Sequence, residues 1–438
     1  MTTKSENEQL TAVGPGTLMG NLMRQYWLPA CLSSELEADS APMRLMLLGE
    51  KLIAFRDSSG QIGIFDHRCP HRCASLFFGR NEEGGIRCVY HGWKFDITGN
   101  CLEMPNVPSE QDFRGKIKAR TYPASERGGL VYVYMGARKE LPPLPEIEVT
   151  LCPADETAIS CRLRECNWLQ ALEGDLDTSH FGFLHGGSVD AGSIDPRNPD
   201  RFQIIDRAPH FHVVDSEWGI ASGSYRPAGD GALYYRFSHF AMPIWTLYPN
   251  GPLRDNIVAD AWVPMDDTHT MVFNITWKKR TPPLALMKDG KAIPGLGRVP
   301  QTLPNTADWF GRWRLVANME NDYQIDREVQ RTQSYTGISG VTQQDMAMTE
   351  GMGGIVDRTI EHLAPTDKMI TMTRRRLLNA ARALAETGQS PPLADVPRAV
   401  RGARAGDLLA PADQPWLEAY EEALRSALDP TEGLHAAE

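Results

Sequence analysis

The sequence of 438 residues lacks a long apolar run, a basic excess and an apolar leader. No stretch of 18 consecutive apolar residues occurs, so we expect no membrane-spanning helix. Lys and Arg number 45 against 56 Asp and Glu, a formal net charge of −11, which argues against nucleic-acid binding. The first ten residues, MTTKSENEQL, do not resemble a secretory signal, which predicts a cytoplasmic location.

Cysteine is also sparse, with eight residues in the whole chain. In a reducing compartment a disulfide framework is not expected, and a few of these cysteines are better interpreted as metal ligands among bystanders. The eight are Cys31, Cys69, Cys73, Cys88, Cys101, Cys152, Cys161 and Cys166.

The order of the sequence patterns predicts an α+β fold. Short apolar runs broken by turn residues over 43–67 indicate β-strands, and the proline-bearing stretch LPPLPEIE (141–148) is typical of a domain boundary. Alternating aromatic segments then predict an antiparallel sheet, and helical spacing over 305–332, 367–388 and 415–428 predicts flanking helices. We therefore expect a β-rich domain at 43–148, a larger domain at 149–438, and a segment 1–42 that packs on the larger domain.

The β-rich domain contains two short Cys/His segments, C-P-H at 69–71 and C-V-Y-H at 88–91. Two thiolates and two imidazoles suit either a tetrahedral zinc ion or a [2Fe–2S] cluster in which histidines bind one iron. A rival zinc set, which uses the zinc-like spacing of two cysteines, is Cys69, Cys73, Cys88 and His91. The repeated order of Cys before His favours the cluster.

The stretch CPHRCASLFFGRNEEGGIRCVYHGWKFD resembles the Rieske domain of aromatic-ring-hydroxylating oxygenases. The resemblance implies that 43–148 is a Rieske [2Fe–2S] domain, with the cluster bound by Cys69, His71, Cys88 and His91. Cys73 departs from the family pattern, which usually has glycine there.

A second constellation lies in NWLQALEGDLDTSHFGFLH, where His180 and His185 stand five residues apart. On an ideal helix the two side chains would point roughly 140° apart, so they could not bind one metal. Gly182, or a π-type bulge, would swing His185 back towards His180. Asp177, three residues before His180, shares its helix face.

The pattern D-x2-H-x4-H resembles the mononuclear iron motif of the same family, and 149–438 then corresponds to its catalytic domain. The resemblance implies iron ligands His180, His185 and a later carboxylate. In the phthalate-dioxygenase-like branch the segment GGIVDRTIEHLAPTD places Asp357 at that position. Asp177 matches the catalytic aspartate that links a cluster histidine of a neighbouring subunit to His180.

The resemblance also implies a function. We expect an oxygenase that uses O2 and NAD(P)H electrons, delivered by a flavin/iron–sulfur reductase, to dihydroxylate an aromatic substrate, with an aryl carboxylate favoured. The alternatives are O- or N-dealkylation by a Rieske monooxygenase and, more distantly, a Rieske electron carrier or zinc-stabilised binding protein. A homotrimer, or a multiple of trimers, is expected. Arg207 is a candidate cation for the substrate, and Asn167 either lines the iron pocket or decorates its helix.

Overall fold

The computed structural model describes residues 2–279, 287–297 and 299–427. Its helices are α1 Lys4–Thr11, α2 Leu18–Met23, α3 Trp168–Leu176, α4 Arg201–Ile205, α5 Arg327–Thr332, α6 Val341–Gly351, α7 Lys368–Thr387 and α8 Trp416–Ala427. None of these described helices is both long and apolar enough to cross a bilayer.

The first part of the chain forms three small antiparallel sheets. They comprise β1 Trp27–Leu32, β2 Met43–Leu47, β3 Glu50–Arg56, β4 Ile62–Asp66, β5 Arg80–Glu82, β6 Gly85–Arg87, β7 Lys94–Phe95, β8 Cys101–Glu103, β9 Thr121–Tyr122, β10 Ala124–Arg127 and β11 Leu130–Tyr134. The strand orders are β1-β11-β10, β2-β3-β4-β9 and β5-β6-β7-β8. Aromatic side chains, among them Phe55, Phe65, Trp93 and Phe95, fill a separate core beneath the two Cys/His segments.

The larger part is built on one eight-stranded antiparallel sheet. Its strands are β12 Thr157–Arg164, β13 His210–Asp215, β14 Gly219–Gly229, β15 Ala232–Ala241, β16 Trp245–Leu247, β17 Val258–Pro264, β18 Thr270–Trp277 and β19 Gly406–Pro411. The order is β12-β18-β17-β16-β15-β14-β13, and β19 pairs with the start of β15. Helix α3 packs across β15, β16 and β17, so every residue of β17 is buried. The predicted α+β architecture is confirmed.

The N-terminal segment contacts both parts. Helices α1 and α2 pack against α7 of the larger part, and β1 joins the β11 edge of a sheet in the first part. The domain limits at 42 and 148 stay predictions, and residues 428–438 of the last predicted domain lie outside the described chain.

The prediction of a helix over 305–332 is wrong for most of this range, because only Arg327–Thr332 is α-helical. Trp313, Asp322, Tyr323 and Gln324 have positive φ angles, which break the regular hydrogen-bond ladder of a helix, and α5 begins at Arg327. The later predicted helices are present as α7 and α8. Gly388, with φ 70°, ends α7 in the left-handed conformation common at helix C-termini.

Candidate iron–sulfur and mononuclear iron sites

The two Cys/His segments fold into loops with the same hydrogen bonds. In the first, the Cys69 amide donates to the carbonyl of Ala74 at 2.8 Å and the Cys73 amide to that of Cys69 at 2.9 Å. In the second, the Cys88 amide donates to Trp93 at 2.8 Å and the Gly92 amide to Cys88 at 2.9 Å. The loops are therefore structural repeats, in which Cys73 occupies the position of Gly92.

The loops bring the four predicted cluster residues together. Cys69 and Cys88 are buried in the same core cluster, while the imidazole rings of His71 and His91 are half-exposed with centroids 4.4 Å apart. His71 also stacks on the buried Trp93 at 4.3 Å. Paired thiols inside and paired imidazoles outside match the ligand arrangement of a Rieske cluster.

The rival zinc set is not assembled. Ligand atoms of a tetrahedral zinc site lie roughly 4 Å or less apart, because each Zn–ligand bond is about 2.0–2.3 Å. In the described part of the chain, the one group of three or more His, Cys, Asp or Glu residues whose ligand atoms all lie within 4.8 Å of one another is His180, His185 and Asp345. Cys73 is exposed, unlike the cysteines before and after it.

The second site begins where α3 ends. Residues Phe181–His185 form a π-helical turn, in which the Gly186 amide donates to the carbonyl of Phe181 at 2.8 Å. The wider turn brings His185 back over His180, and their Nε2 atoms lie 3.1 Å apart. The π-type distortion expected from the five-residue spacing is present.

Helix α6 supplies a carboxylate to this pair. Oδ1 of Asp345 lies 3.1 Å from Nε2 of His185 and 3.7 Å from Nε2 of His180. The preceding residue, Gln344, fixes the second histidine: Nδ1 of His185 donates to Oε1 of Gln344 at 2.7 Å, while Nε2 of Gln344 donates to Ile338. His185 therefore presents the Nε2 lone pair towards Asp345.

The carboxylate prediction at Asp357 is wrong in this structure. Asp357 is exposed, and its Oδ1 accepts hydrogen bonds from the amide and hydroxyl of Thr359. The adjacent Arg358 is fully buried and faces Glu173 on α3, so the chain directs Asp357 to solvent. Sequence reasoning missed Asp345. The available signal was Asp345 itself, an acidic residue directly after two consecutive glutamines (343–344) in a segment of helix-forming residues.

Asp177 caps the C-terminus of α3 and contacts the first histidine. Its Oδ2 lies 3.6 Å from Nδ1 of His180, and its Oδ1 accepts from the amide and hydroxyl of Ser179. Burial raises the pKa of Asp177, but the His180 and Ser179 contacts outweigh it and lower that pKa to about 2. The carboxylate thus orients His180 so that Nε2 faces the proposed metal position.

A buried ion-pair network holds α3 in place. Glu173 binds Arg374 of α7 at 2.6 Å and Arg358 at 3.1 Å. Burial raises the pKa of Glu173, but the two arginines outweigh this effect and lower the pKa below its usual value. Glu173 therefore stays ionised. Removing one partner would leave a buried charge, so this network fixes the helix that leads into the site.

A cavity opens beside the histidines, and its wall contains two cations, Arg164 and Arg236. Arg207 is not among the lining residues; its Nη2 donates to Gly187 at 3.3 Å and its guanidinium lies over Phe183. Asn167 is fully buried, caps α3 and donates to Thr11 and Asp267. Of the two alternatives for Asn167, lining the iron pocket does not occur, because its side chain is used inside the fold and is not part of the cavity wall.

The donor set fits a divalent iron. Two imidazole nitrogens and one carboxylate oxygen converge on one side, with each histidine Nδ1 held by another residue. Three such donors with open positions define the facial triad of non-haem Fe(II) enzymes. His180, His185 and Asp345 would hold the iron, and Asp177 and Gln344 would orient the two imidazoles.

Comparison with known proteins agrees with both sites. Residues 26–123 match the family described as the Rieske [2Fe-2S] domain, and residues 133–418 match the LigXa C-terminal domain like family. The second match alone covers more than half of the chain.

Relatives extend over nearly the whole length. The chain is 46% identical to a 3-chlorobenzoate-3,4-dioxygenase oxygenase subunit of Comamonas testosteroni, over 96% of this chain and 98% of the relative. It is 34% identical to a phthalate 4,5-dioxygenase oxygenase subunit of Pseudomonas putida (89% and 88%). It is also 31% identical to a 5,5'-dehydrodivanillate O-demethylase oxygenase subunit of a Sphingobium species (86% and 80%).

Among solved structures, dicamba monooxygenase bound to dicamba has the same fold, with a TM-score of 0.54 and 17% identity over 83% of this chain and 98% of the other. The family matches imply one Rieske [2Fe–2S] cluster and a mononuclear iron as cofactors. The chain belongs to the Rieske aromatic-ring-hydroxylating oxygenases, as an oxygenase (alpha) subunit of the phthalate-dioxygenase-like branch.

Proposed function

We propose that this oxygenase dihydroxylates a benzoate-type aryl carboxylate, using O2 and electrons from NAD(P)H that a flavin/iron–sulfur reductase delivers. The observation that carries the proposal is a guanidinium at the cavity wall, that of Arg236. Its ring neighbour is Phe181, directly after His180, with 5.6 Å between the guanidinium carbon and the ring centroid. The 46% identical relative is named for a chlorobenzoate.

Arg236 has donors to spare. Nε donates to Asp407, Nη1 to Gln203 and Nη2 to the carbonyl of Pro249, which leaves two of the five guanidinium N–H groups for a carboxylate. Burial raises the pKa of its partner Asp407, while Arg236 lowers it. Asp200 also lines the cavity, so the cation lies between carboxylates and the open space. In a chain of net charge −11, such a cation is needed for an anionic substrate.

The residues divide the work. The cluster supplies single electrons and the mononuclear iron activates O2 when both are bound. His180, His185 and Asp345 hold the iron at the cavity wall, Arg236 orients the substrate carboxylate, and Trp262 helps to exclude water.

We propose that electrons pass from the cluster of one subunit to the mononuclear iron site of the next. The cluster histidines are half-exposed, and the neighbouring Val89 and Tyr90 are exposed by 56% and 54%. Asp177 keeps 24% of its side chain exposed beside His180. We propose head-to-tail contacts in a homotrimer, or a multiple of trimers, in which Asp177 meets a cluster histidine of the next subunit. A cytoplasmic location is part of the same proposal.

The second candidate, O-dealkylation of an aryl ether, is favoured by the O-demethylase relative. Turnover under labelled O2 with matched benzoates and methoxybenzenes decides between them. A cis-diol with two labelled oxygens supports dihydroxylation, whereas formaldehyde release supports dealkylation.

The cation is tested separately. Arg236→Lys keeps the charge but loses the planar fork, so the KM for benzoates should rise roughly tenfold while that for neutral aryl substrates stays unchanged. Arg207→Ala is the matched comparison and should leave both unchanged. If the KM for benzoates rises in Arg207→Ala and not in Arg236→Lys, Arg207 is the residue that binds the substrate carboxylate.

A further inference from the structure

A row of polar side chains crosses the catalytic sheet beside the cavity. Thr246 on β16 lies opposite Asp260 on β17, Asp260 lies opposite Asn274 on β18, and Asn274 lies opposite Ser160 on β12. Directly opposed residues share one face of a sheet, so the four form a continuous line. The line runs from buried Thr246 to exposed Ser160.

Asp260 is the unusual member, because it lies in a strand whose residues are all buried, between Ala259 and Ala261. A buried carboxylate is costly unless hydrogen bonds and charges compensate it. Nδ2 of Asn274 donates to Oδ1 of Asp260 at 2.5 Å, and Arg162 lies 3.7 Å from Oδ2. Burial raises the pKa of Asp260, and the contacts with Arg162 and Asn274 oppose that rise by favouring the ionised form.

A second carboxyl group lies at the cavity end of the row. Asp175, on the last turn of α3, lines the cavity, and its Oδ2 accepts the hydroxyl proton of Thr246. The direction of that hydroxyl is fixed, because its oxygen accepts the indole N–H of Trp262 at 2.7 Å. Thr246 therefore holds Asp175 at the end of the row, and Asp260 lies directly opposite Thr246 on the next strand.

Two neighbouring carboxyl groups, here the half-buried Asp175 and the buried Asp260, do not both ionise readily. Asp345 of α6, Arg164 of β12 and Tyr248 line the same cavity as Asp175. Burial, and then the charge of Asp260, raise the pKa of Asp175 to about 8. The single proton of the pair therefore resides on Asp175, the carboxyl group that lines the cavity.

The oxygenase reaction needs protons at this place. Ring dihydroxylation adds O2, two electrons and two protons to the substrate; monooxygenation of a C–H bond consumes the same set and releases one water. The electrons come from NAD(P)H through the reductase and the cluster, and the protons come ultimately from water.

We propose that the Asp175–Asp260 pair holds one proton and that Asp175 is a general acid of the oxygenase, donating this proton in the cavity during each turnover. Asp260 stays an anion and takes no part in bond making. The O–H bond of Asp175 breaks and a new O–H bond forms on an oxygen atom that comes from O2, after which the Asp175 carboxylate is reprotonated from cavity water. The inference rests on the proposed oxygenase function.

The proton itself is tested without turnover. Infrared spectra of the metal-free protein at pH 7 should contain a carboxylic-acid C=O band that is absent in Asp175→Asn, which preserves the acceptor for Thr246. Asp260→Asn should shift the titration midpoint of that band to lower pH, because the facing anion is removed. The same band should persist after iron loading. Identical spectra of wild type and Asp175→Asn, or loss of the band on iron loading, would overturn the proposal.

The donation is tested in the loaded enzyme. Asp175→Asn should slow turnover on the order of 10²-fold and enlarge the solvent deuterium isotope effect, with unchanged iron content, substrate affinity and cluster reduction. Asp175→Glu should restore part of the rate. Thr276→Val, on β18 outside the row, is the control and should behave as wild type.

Wild-type rates in Asp175→Asn would exclude the general-acid role even if the infrared band is present. If the wild type oxygenates no aromatic substrate, the proposed function fails, while the infrared result still decides whether the pair holds a proton.

Discussion

Nε2 of His185 lies 3.1 Å from Oδ1 of Asp345, on a helix more than 150 residues later in the chain. This contact makes Asp345 the third ligand of the proposed iron site. Asp345→Asn should therefore lose the mononuclear iron and all oxygenation, while the cluster iron and acid-labile sulfide remain.

The matched variant for this test is Asp357→Asn, which changes the carboxylate suggested by family resemblance. Because Asp357 is exposed and binds Thr359, the variant should keep its iron and its activity. Iron and sulfide analysis of both proteins decides between the two carboxylates; loss of iron in Asp357→Asn alone would reverse the assignment.

The contrast shows how far the sequence could lead. His180, His185 and the distorted turn between them were predictable because the spacing of two residues on one helix is a local property. The carboxylate was not, because the packing of α6 against α3 decides which of several acidic residues reaches the histidines. The four cluster ligands were predictable because each loop contains one cysteine and one histidine within four consecutive residues. The helix predicted over 305–332 failed because left-handed residues such as Trp313 leave no periodic signal.

Gln344 should control the affinity of the iron site. Its Oε1 accepts from Nδ1 of His185 at 2.7 Å and so selects the tautomer that offers Nε2. Gln344→Leu should weaken iron binding by about 10- to 100-fold without unfolding the protein. Iron titration of the metal-depleted protein measures this, and Gln343→Leu on the same helix is the control. Equal iron affinity in all three proteins would remove this role.

Asp177→Asn should keep both iron centres and lose communication between them. The backbone N–H of residue 177 still caps α3 in this variant. The new side chain lacks the negative charge that holds His180 and that would link His180 to a cluster histidine of the partner subunit. Rapid single-turnover measurements should then find a reduced cluster that fails to reoxidise with O2 and substrate. Normal reoxidation in the variant would contradict the proposed link.

The cluster loops predict opposite effects of two substitutions at equivalent positions. Cys73 has φ 59° and Gly92 has φ 78°, a conformation that costs a non-glycine residue about 1 kcal/mol. Cys73 is exposed, whereas a Cβ at Gly92 would lie 2.5 Å from Cγ of Pro105. Cys73→Gly should keep the cluster and raise the free energy of unfolding by about 1 kcal/mol, and Gly92→Ala should destabilise the loop. Loss of the cluster signal in Cys73→Gly would revive Cys73 as a ligand.

Stability should fall in mildly acidic solution because of His239. This histidine is fully buried, donates from Nε2 to the carbonyl of Arg404 at 3.2 Å, and has its pKa lowered by burial from 6.5 to about 4. Between about pH 6.5 and 4, His239 is protonated in the unfolded chain but stays neutral in the folded protein. The free energy of unfolding therefore decreases as pH falls through this range. The shift corresponds to about 3 kcal/mol. His239→Gln, which does not titrate, should flatten this part of the urea-unfolding profile, while His210→Gln, an exposed histidine on β13, should leave it unchanged. An unaltered slope in His239→Gln would assign the acid sensitivity to other groups.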